Sequence, residues 1–186
     1  MSNQIGQDFE RQVKQNVPLA GMTTLGIGGA ARYFAVVSTA AEISAGVLWA
    51  RSRALPLFVL GGGSNVLVSD TGFNGLVLKM NLRGVSITED GQQVTVKAAA
   101  GEEWDRLAAE LVSRNFAGVE CLSGIPGLVG ATPIQNVGAY GQEIAETLVS
   151  VDAVEMSTGR VVSFSRIECQ FGYRSSRFKT SDLGRF

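Results

Sequence analysis

Short runs of β-branched and aliphatic residues, bounded by glycine or polar turns, recur along the chain and predict β-strands. Such runs cover residues 32–37, 57–60, 65–68 and 75–79, of which 57–60 is expected to be buried. Two pairs of segments flank turn residues and predict hairpins: residues 85–88 with 93–97 around Asp90-Gly91, and residues 148–156 with 161–164 around Ser157-Thr158-Gly159.

Two segments have the signals of helices. Thr39 followed by Glu42 forms a capping box that opens a helix reaching about Arg53. Residues 102–114 place apolar residues at three- and four-residue intervals and predict a helix with one buried face, made of Trp104, Leu107, Ala108, Leu111 and Val112. Strands joined mostly by turns, with two helices packed on them, indicate an α+β fold rather than a regular βαβ alternation.

Composition narrows the classes of function. The 186 residues, 45% hydrophobic and 18% charged, suit one compact domain or two small lobes. A net charge of −1 without any Lys/Arg run excludes a nucleic-acid partner. The polar first 16 residues resemble neither a signal peptide nor a membrane span, so we expect a cytoplasmic protein without a membrane partner.

The reactive side chains are few. Cys121 and Cys169 are the two cysteines, in a spacing that fits neither a disulfide framework nor a zinc cluster, and no metal site is expected. The chain has no histidine, which excludes triads and proton shuttles based on imidazole. If the chain is part of an enzyme, a cofactor must supply the difficult chemistry.

The first of three glycine-rich stretches, Gly26 to Ala31, has the letters of a dinucleotide fingerprint. It precedes a predicted strand instead of following one, and no acidic residue lies about 20 positions further on. We therefore interpret it as a structural turn. A P-loop is excluded because the sequence contains no GK[ST].

The second stretch, Gly61-Gly62-Gly63-Ser64-Asn65, lies between two predicted strands. Its successive amides can form an anion-cradling nest, with donors added by Ser64 and Asn65. Such a nest can hold a pyrophosphate without a helix dipole or a basic side chain. A tight strand-to-strand turn without a ligand is an equally weighted alternative.

The third stretch, residues 123–141, combines glycine and proline with Ile125, Val129, Ile134 and Val137, which are expected to pack inward. A segment of this composition is suited to lie against one face of a flat ligand. Gln135 and Asn136 offer amides to the edge of a heterocycle, although such residues also commonly satisfy loop backbone groups.

Together, the second and third stretches resemble the FAD-binding domain of the vanillyl-alcohol-oxidase and para-cresol-methylhydroxylase superfamily. The finer resemblance is to the UDP-N-acetylenolpyruvoylglucosamine reductase family. It rests on blocks in that family's order, which are residues 23–29, 61–67, 124–127, 135–141 and 169–179.

The resemblance implies FAD as cofactor, NADPH as hydride donor, and reduction of UDP-N-acetylglucosamine enolpyruvate to UDP-N-acetylmuramate in peptidoglycan precursor synthesis. It also implies a monomer that serves cell-wall biogenesis, cell shape and cell division. The cofactor-binding residues implied are Gly61, Gly62, Gly63, Ser64, Asn65, Gly124, Ile125, Pro126, Gly127, Gly130, Gln135, Asn136, Gly138, Ala139 and Tyr140.

The family's tyrosine-arginine motif matches Tyr173-Arg174. The resemblance makes Arg174 catalytic, since its guanidinium would pair with the enolpyruvyl carboxylate and stabilise the enolate-like charge that forms on hydride arrival. Tyr173 and Arg174 are the expected substrate-binding residues. Without the resemblance, both would be interpreted as a solvated loop or as packing.

The resemblance also predicts the domain organisation of the two-lobed fold. Residues 1–20 form an N-terminal extension, 21–83 a first FAD-binding lobe and 84–186 a second lobe that ends before the substrate domain. The family's proton-donating serine and C-terminal glutamate would lie beyond this chain. Two alternatives remain: a stand-alone flavin-binding module, and the FAD domain of a related oxidase or molybdenum hydroxylase.

Overall fold

The computed structural model describes residues 2–186, which divide into two compact units. The first unit comprises residues 2–81 with Val154–Val162, and the second comprises Leu82–Ala153 with Ser163–Phe186. Each unit has a hydrophobic core of its own.

The first unit is built on a four-stranded sheet. In chain order its elements are α1 (Ser2–Gln12), β1 (Lys14–Pro18), β2 (Ala30–Val37), α2 (Ala40–Ser52), β3 (Leu57–Leu60) and β4 (Phe73–Met80). The strand order is β1-β2-β4-β3, with β2 and β3 both parallel to β4 and β1 antiparallel to β2. Residues 75–78 of the central strand β4 are buried, as expected for a parallel strand covered on both faces.

The N-cap predicted at Thr39 is confirmed, while the reciprocal bond of a capping box goes to Ser38 instead of Thr39. Glu42 N–H donates to Thr39 Oγ1 (3.1 Å), and the Glu42 carboxylate accepts from Ser38 N–H (2.7 Å). Midway along α2, a Cβ atom on Gly46 would lie 2.9 Å from Leu78 Cδ2. The helix therefore packs closely against β4 because this position has no side chain.

The helix predicted between residues 37 and 57 connects two parallel strands, so β2-α2-β3 is a crossover; hydrophobic periodicity does not encode the direction in which strands pair. Two predictions for the first unit are wrong. Residues 65–68 form a loop whose Val66 and Val68 pack on the core without joining a ladder. In β3, Leu60 is buried but Val59 is exposed.

Within the predicted N-terminal extension, α1 and β1 are ordered elements, and β1 pairs with β2.

The second unit contains the first predicted hairpin and the second predicted helix. Its elements are β5 (Val85–Asp90), β6 (Gln93–Ala98), α3 (Trp104–Ser113), β7 (Gly138–Ala139) and β8 (Gln142–Glu143). The second predicted hairpin pairs β9 (Ser150–Val154) with β10 (Val161–Ser165), and its turn belongs to the segment Val154–Val162 of the first unit. The buried face of α3 is as predicted apart from Val112, which is 43% exposed. Val112 lies at the edge of the apolar stripe, where helical spacing alone does not decide burial.

Over residues 2–186, no helix has the length and apolarity needed to cross a membrane.

Candidate functional site

The glycine loop, residues 61–65, directly follows the carboxyl end of β3. It is held against residues 22–24, since Thr24 N–H donates to the Gly63 carbonyl (3.0 Å). Gly63 has a φ of 75°, and a Cβ atom there would lie 2.1 Å from the Met22 carbonyl oxygen. Gly63 is thus required by the fold, whereas Gly62 is exposed at the surface of the loop.

Beside this loop lies a cleft of about 370 Å³, which we call the glycine-loop cleft. Its lining residues are Gly21, Met22, Thr23, Thr24, Gly62 and Lys79. Lys79 is half-buried, and its Nζ donates to the Gly61 carbonyl (2.5 Å). Burial lowers the pKa of the Lys79 ammonium. The cleft thus contains a basic side chain in addition to the backbone and polar groups that the sequence indicated, and the anion site itself stays a prediction.

The glycines at 26–29 are structural, as predicted. A Cβ atom on Gly28 would lie 2.5 Å from Val68 Cβ, and one on Gly29 would lie 2.3 Å from the Asp70 carbonyl oxygen. The segment leads into β2 rather than into a helix. It brings the chain close to residues 68–72 and does not form the dinucleotide turn.

In the second unit, residues 122–130 are bonded to the start of α3. Val129 N–H donates to the Glu102 carbonyl (2.9 Å), Gly130 N–H to the Ala100 carbonyl (3.0 Å), and Trp104 N–H to the Gly127 carbonyl (3.0 Å). Gly130 approaches residue 100 so closely that a Cβ atom there would lie 2.7 Å from Ala100 Cβ. These bonds fix the backbone of the predicted flavin wall.

Asp105 anchors the first turn of this wall. Its Oδ1 accepts from Gly124 N–H (2.5 Å) and from Ser123 Oγ (2.9 Å). The Gly124 N–H, followed by the Ser123 hydroxyl, lowers the pKa of the Asp105 carboxyl. Gly124 has a φ of 80° and is exposed together with Pro126, while Ile125 packs on the core of the unit. The loop therefore presents glycine and proline outward.

Asn136 is buried within the second unit, with 1% of its surface exposed. Its Nδ2 donates to Glu143 Oε2 (2.7 Å) and to the Gly172 carbonyl (3.0 Å), and its Oδ1 accepts from Ala145 N–H (3.1 Å). Both of its donors are thereby used within the protein. The side chain of Asn136 supports the loop, so the expected amide contact with a heterocycle is not supported for it. Gln135 is half-buried, and its ligand contact stays a prediction.

Removing the Asn136 amide should destabilise the chain. Asn136→Ala leaves the buried Ala145 N–H without its acceptor and the Gly172 carbonyl with Ser175 N–H alone, which should lower the free energy of unfolding by about 1–3 kcal/mol. Urea denaturation followed by circular dichroism measures this loss. Gln135→Ala is the matched control and should cost less; an equal loss for the two variants would contradict the role given to Asn136.

The end of the glycine-rich stretch forms a tight hairpin. β7 and β8 pair Ala139 with Gln142, which leaves Tyr140 and Gly141 as a two-residue turn. Both have positive φ values, 51° and 83°, as a type I′ turn requires. Tyr140 is 91% exposed, and a bulky side chain on a left-handed backbone is an uncommon combination. Ile134, expected to pack inward, is 45% exposed.

Tyr173 and Arg174 occupy the tip of a second two-residue turn. Gly172 N–H donates to the Ser175 carbonyl (3.1 Å) and Ser175 N–H to the Gly172 carbonyl (3.0 Å). Arg174 is exposed with a φ of 50°, and Tyr173 is 86% exposed. The turn is tied to the glycine-rich stretch on both sides, since Asn136 bonds Gly172 and Ser176 Oγ donates to the Ile134 carbonyl (2.6 Å).

Of the residues predicted for the first unit, Gly62 lines the glycine-loop cleft, whereas Gly61, Gly63, Ser64 and Asn65 do not. In the second unit, Asn136 bonds the glycine-rich stretch to the turn that carries Tyr173 and Arg174. Sequence reasoning missed Lys79. Its signal was present: a lysine near the end of the apolar run 75–80, where the carboxyl end of a buried parallel strand commonly meets a ligand.

A family profile described as an FAD binding domain matches residues 31–165. The UDP-N-acetylenolpyruvoylglucosamine reductase of Thermobifida fusca is 49% identical over 169 residues, which are 90% of this chain and 48% of that protein. The reductase of Streptomyces coelicolor is 46% identical over 168 residues, 90% of this chain and 43% of its own length. The chain spans about half the length of these curated relatives.

Solved structures agree with the sequence relatives. The UDP-N-acetylenolpyruvylglucosamine reductase of Thermus caldophilus superposes with a TM-score of 0.69 at 32% identity, over 88% of this chain and 56% of that one. A VAO-type flavoprotein of Myceliophthora thermophila superposes with a TM-score of 0.63 at 14% identity, over 88% and 41% respectively, which supports the fold alone. The predicted fold class, an α+β FAD-binding fold of the vanillyl-alcohol-oxidase type, is confirmed.

Proposed function

Because the chain belongs to the family of FAD-binding domains, we propose that it is the FAD-binding part of a UDP-N-acetylenolpyruvoylglucosamine reductase. The observation that carries the proposal is the glycine loop at the carboxyl end of β3, together with 49% identity to a protein of that name over 90% of this chain. The carboxyl edge of a parallel sheet is a recurrent place for nucleotide ligands.

The residues of the first unit fit the diphosphate of FAD. Gly62 exposes backbone beside an open cleft, Gly63 holds the loop in a conformation that favours glycine, and the Lys79 ammonium lies in the same cleft. Peptide N–H groups and an ammonium are the donors that phosphate oxygens accept from. Ser64 and Asn65 follow at the end of the loop and stay in the proposed set.

The residues of the second unit fit the flat ring system of a flavin. Exposed backbone at Gly124 and Pro126 allows a planar group to approach closely, and the contacts of residues 100–105 hold this backbone in place. We assign Ile125, Gly127, Gly130, Gly138, Ala139 and Tyr140 to the same wall. When bound, FAD supplies hydride transfer between a nicotinamide donor and the substrate.

Arg174 is the residue to which we assign the chemistry at the substrate. Its guanidinium stands at the tip of a closed turn and forms two parallel hydrogen bonds with a carboxylate when the geometry allows. Paired with the enolpyruvyl carboxylate, it stabilises the negative charge that develops there as hydride arrives. Tyr173 lies beside it and lines the substrate side of the turn.

The complete reaction that we assign is the reduction of UDP-N-acetylglucosamine enolpyruvate by NADPH, which gives UDP-N-acetylmuramate for peptidoglycan. We place the protein in the cytoplasm, where NADPH and nucleotide sugars are available, and assign it to cell-wall biogenesis, cell shape and cell division. We propose that it acts as a monomer, without nucleic-acid or membrane partners.

An assay of the protein encoded by the complete reading frame tests this function. The purified protein should oxidise NADPH only when UDP-N-acetylglucosamine enolpyruvate is present, and it should form UDP-N-acetylmuramate in equal amount. A protein that binds FAD but shows no turnover with this substrate would instead support the stand-alone flavin module or the related oxidase.

A further inference from the structure

We propose that Lys79 pairs with the diphosphate of the bound dinucleotide and thereby strengthens the binding of FAD. The inference rests on the proposed function, because it assumes that FAD occupies the glycine-loop cleft. The sequence predicts an anion site made of backbone amides and the polar side chains of Ser64 and Asn65, and Lys79 adds a charged residue to it.

The sheet places Lys79 next to the glycine loop. In the parallel pairing of β3 with β4, Lys79 is the partner of Leu60, the residue that immediately precedes Gly61. The carboxyl ends of the two strands therefore lie at the same edge of the sheet, where β3 leads into the glycine loop and β4 carries Lys79. This register places the Lys79 ammonium within hydrogen-bonding distance of the loop.

The environment of the ammonium favours an anion as a further partner. Lys79 Nζ donates one hydrogen bond to the Gly61 carbonyl, and an ammonium has three donors. The side chain is half-buried, and burial lowers its pKa, so the protonated form is destabilised relative to water. A diphosphate in the cleft would offset this loss of hydration by direct charge pairing.

The cleft contains no competing charge in the part of the chain that the structure describes. Its lining residues other than Lys79 are Gly21, Met22, Thr23, Thr24 and Gly62, none of which ionises. Thr23 Oγ1 donates within its own segment, to the Ala20 or Ile27 carbonyl. Lys79 is therefore the group in this lining that can balance a diphosphate, which carries two negative charges in a dinucleotide.

The test compares the dissociation constant of FAD among charge variants of the chain. Lys79→Met should weaken FAD binding by about 10- to 100-fold, as expected for loss of a hydrogen-bonded charge, whereas Lys79→Arg should stay within a few-fold of the parent chain. Lys97→Met removes an exposed lysine of the second unit and serves as the matched control, with no change expected. Flavin fluorescence quenching measures each constant.

A pH series separates charge pairing from a structural role. The affinity of the parent chain for FAD should fall as pH rises through the pKa of Lys79, while that of Lys79→Arg should stay flat by comparison because a guanidinium remains protonated. Lys79→Met with unchanged FAD affinity would overturn the inference, and so would a loss of affinity matched by a lower melting temperature of the ligand-free variant. If the parent chain binds no FAD, the proposed function fails. If the parent chain binds FAD and Lys79→Met binds it equally well, the inference about Lys79 fails while the proposed function stands.

Discussion

Arg174→Ala in the complete protein should slow substrate-dependent turnover by about 100- to 1000-fold while FAD remains bound, the loss typical of removing one donor from a developing charge. The structural basis is the position of Arg174 at the exposed tip of a turn that is bonded at Gly172 and Ser175. The hydrogen bonds from Asn136 and Ser176 hold this turn against residues 134–136. The guanidinium is thus presented from a supported backbone.

The controls for Arg174 separate charge from backbone conformation. Arg174 has a φ of 50°, which glycine adopts without strain, so Arg174→Gly should leave stability unchanged or raise it and still lose activity. Arg174→Lys keeps the charge but loses the bidentate geometry and should recover only part of the rate. Arg166→Ala removes an exposed arginine elsewhere in the second unit and should be neutral. Stopped-flow measurement of flavin reoxidation by substrate reads the effect directly, and normal reoxidation in Arg174→Ala would remove this residue from the mechanism.

Gly62→Val should abolish FAD binding without unfolding the chain. Gly62 is exposed and lines the glycine-loop cleft, so a β-branched side chain there fills the space where phosphate oxygens would approach the backbone. Equilibrium dialysis with FAD measures binding, and thermal unfolding of the ligand-free variant checks the fold. Retention of FAD by Gly62→Val would refute the placement of the diphosphate.

The neighbouring residue provides the contrasting control. Gly63 has a φ of 75°, and Gly63→Ala puts a Cβ atom 2.1 Å from the Met22 carbonyl oxygen. The substitution should therefore lower the free energy of unfolding by about 1–3 kcal/mol. Two adjacent glycines of one loop are therefore expected to fail in different ways. Gly62 is required by the ligand, and Gly63 is required by the protein.

The elements that local sequence specifies were predicted well. α2 begins where the Thr39 cap indicates, and Ser157-Thr158-Gly159 separates paired strands. The first hairpin turns at residues 91–92, one position after the predicted Asp90-Gly91, because Asp90 pairs with Gln93. The failures concern tertiary pairing. The run at 65–68 has the alternation of a strand but finds no partner, and the direction of β3 relative to β4 depends on a crossover that periodicity does not reveal.

The site shows the same division. The glycines could be found from sequence because φ and close approach restrict the residue type, as at Gly63 and Gly124. Asn136 could not be assigned from sequence, because an amide in a glycine-rich loop is compatible with a ligand contact and with a structural role. Its three hydrogen bonds within the protein show the structural role. Lys79 needed the strand register that places it beside Leu60.

The central claim is that this chain forms an FAD site, and the flavin content of the purified chain tests it most directly. The chain is expressed, purified and examined by visible absorbance, and released flavin is identified by chromatography against FAD, FMN and riboflavin. We expect a yellow protein with equimolar FAD, or a colourless one that becomes loaded to that ratio when FAD is added. A folded chain that remains colourless and binds no added FAD would contradict the account.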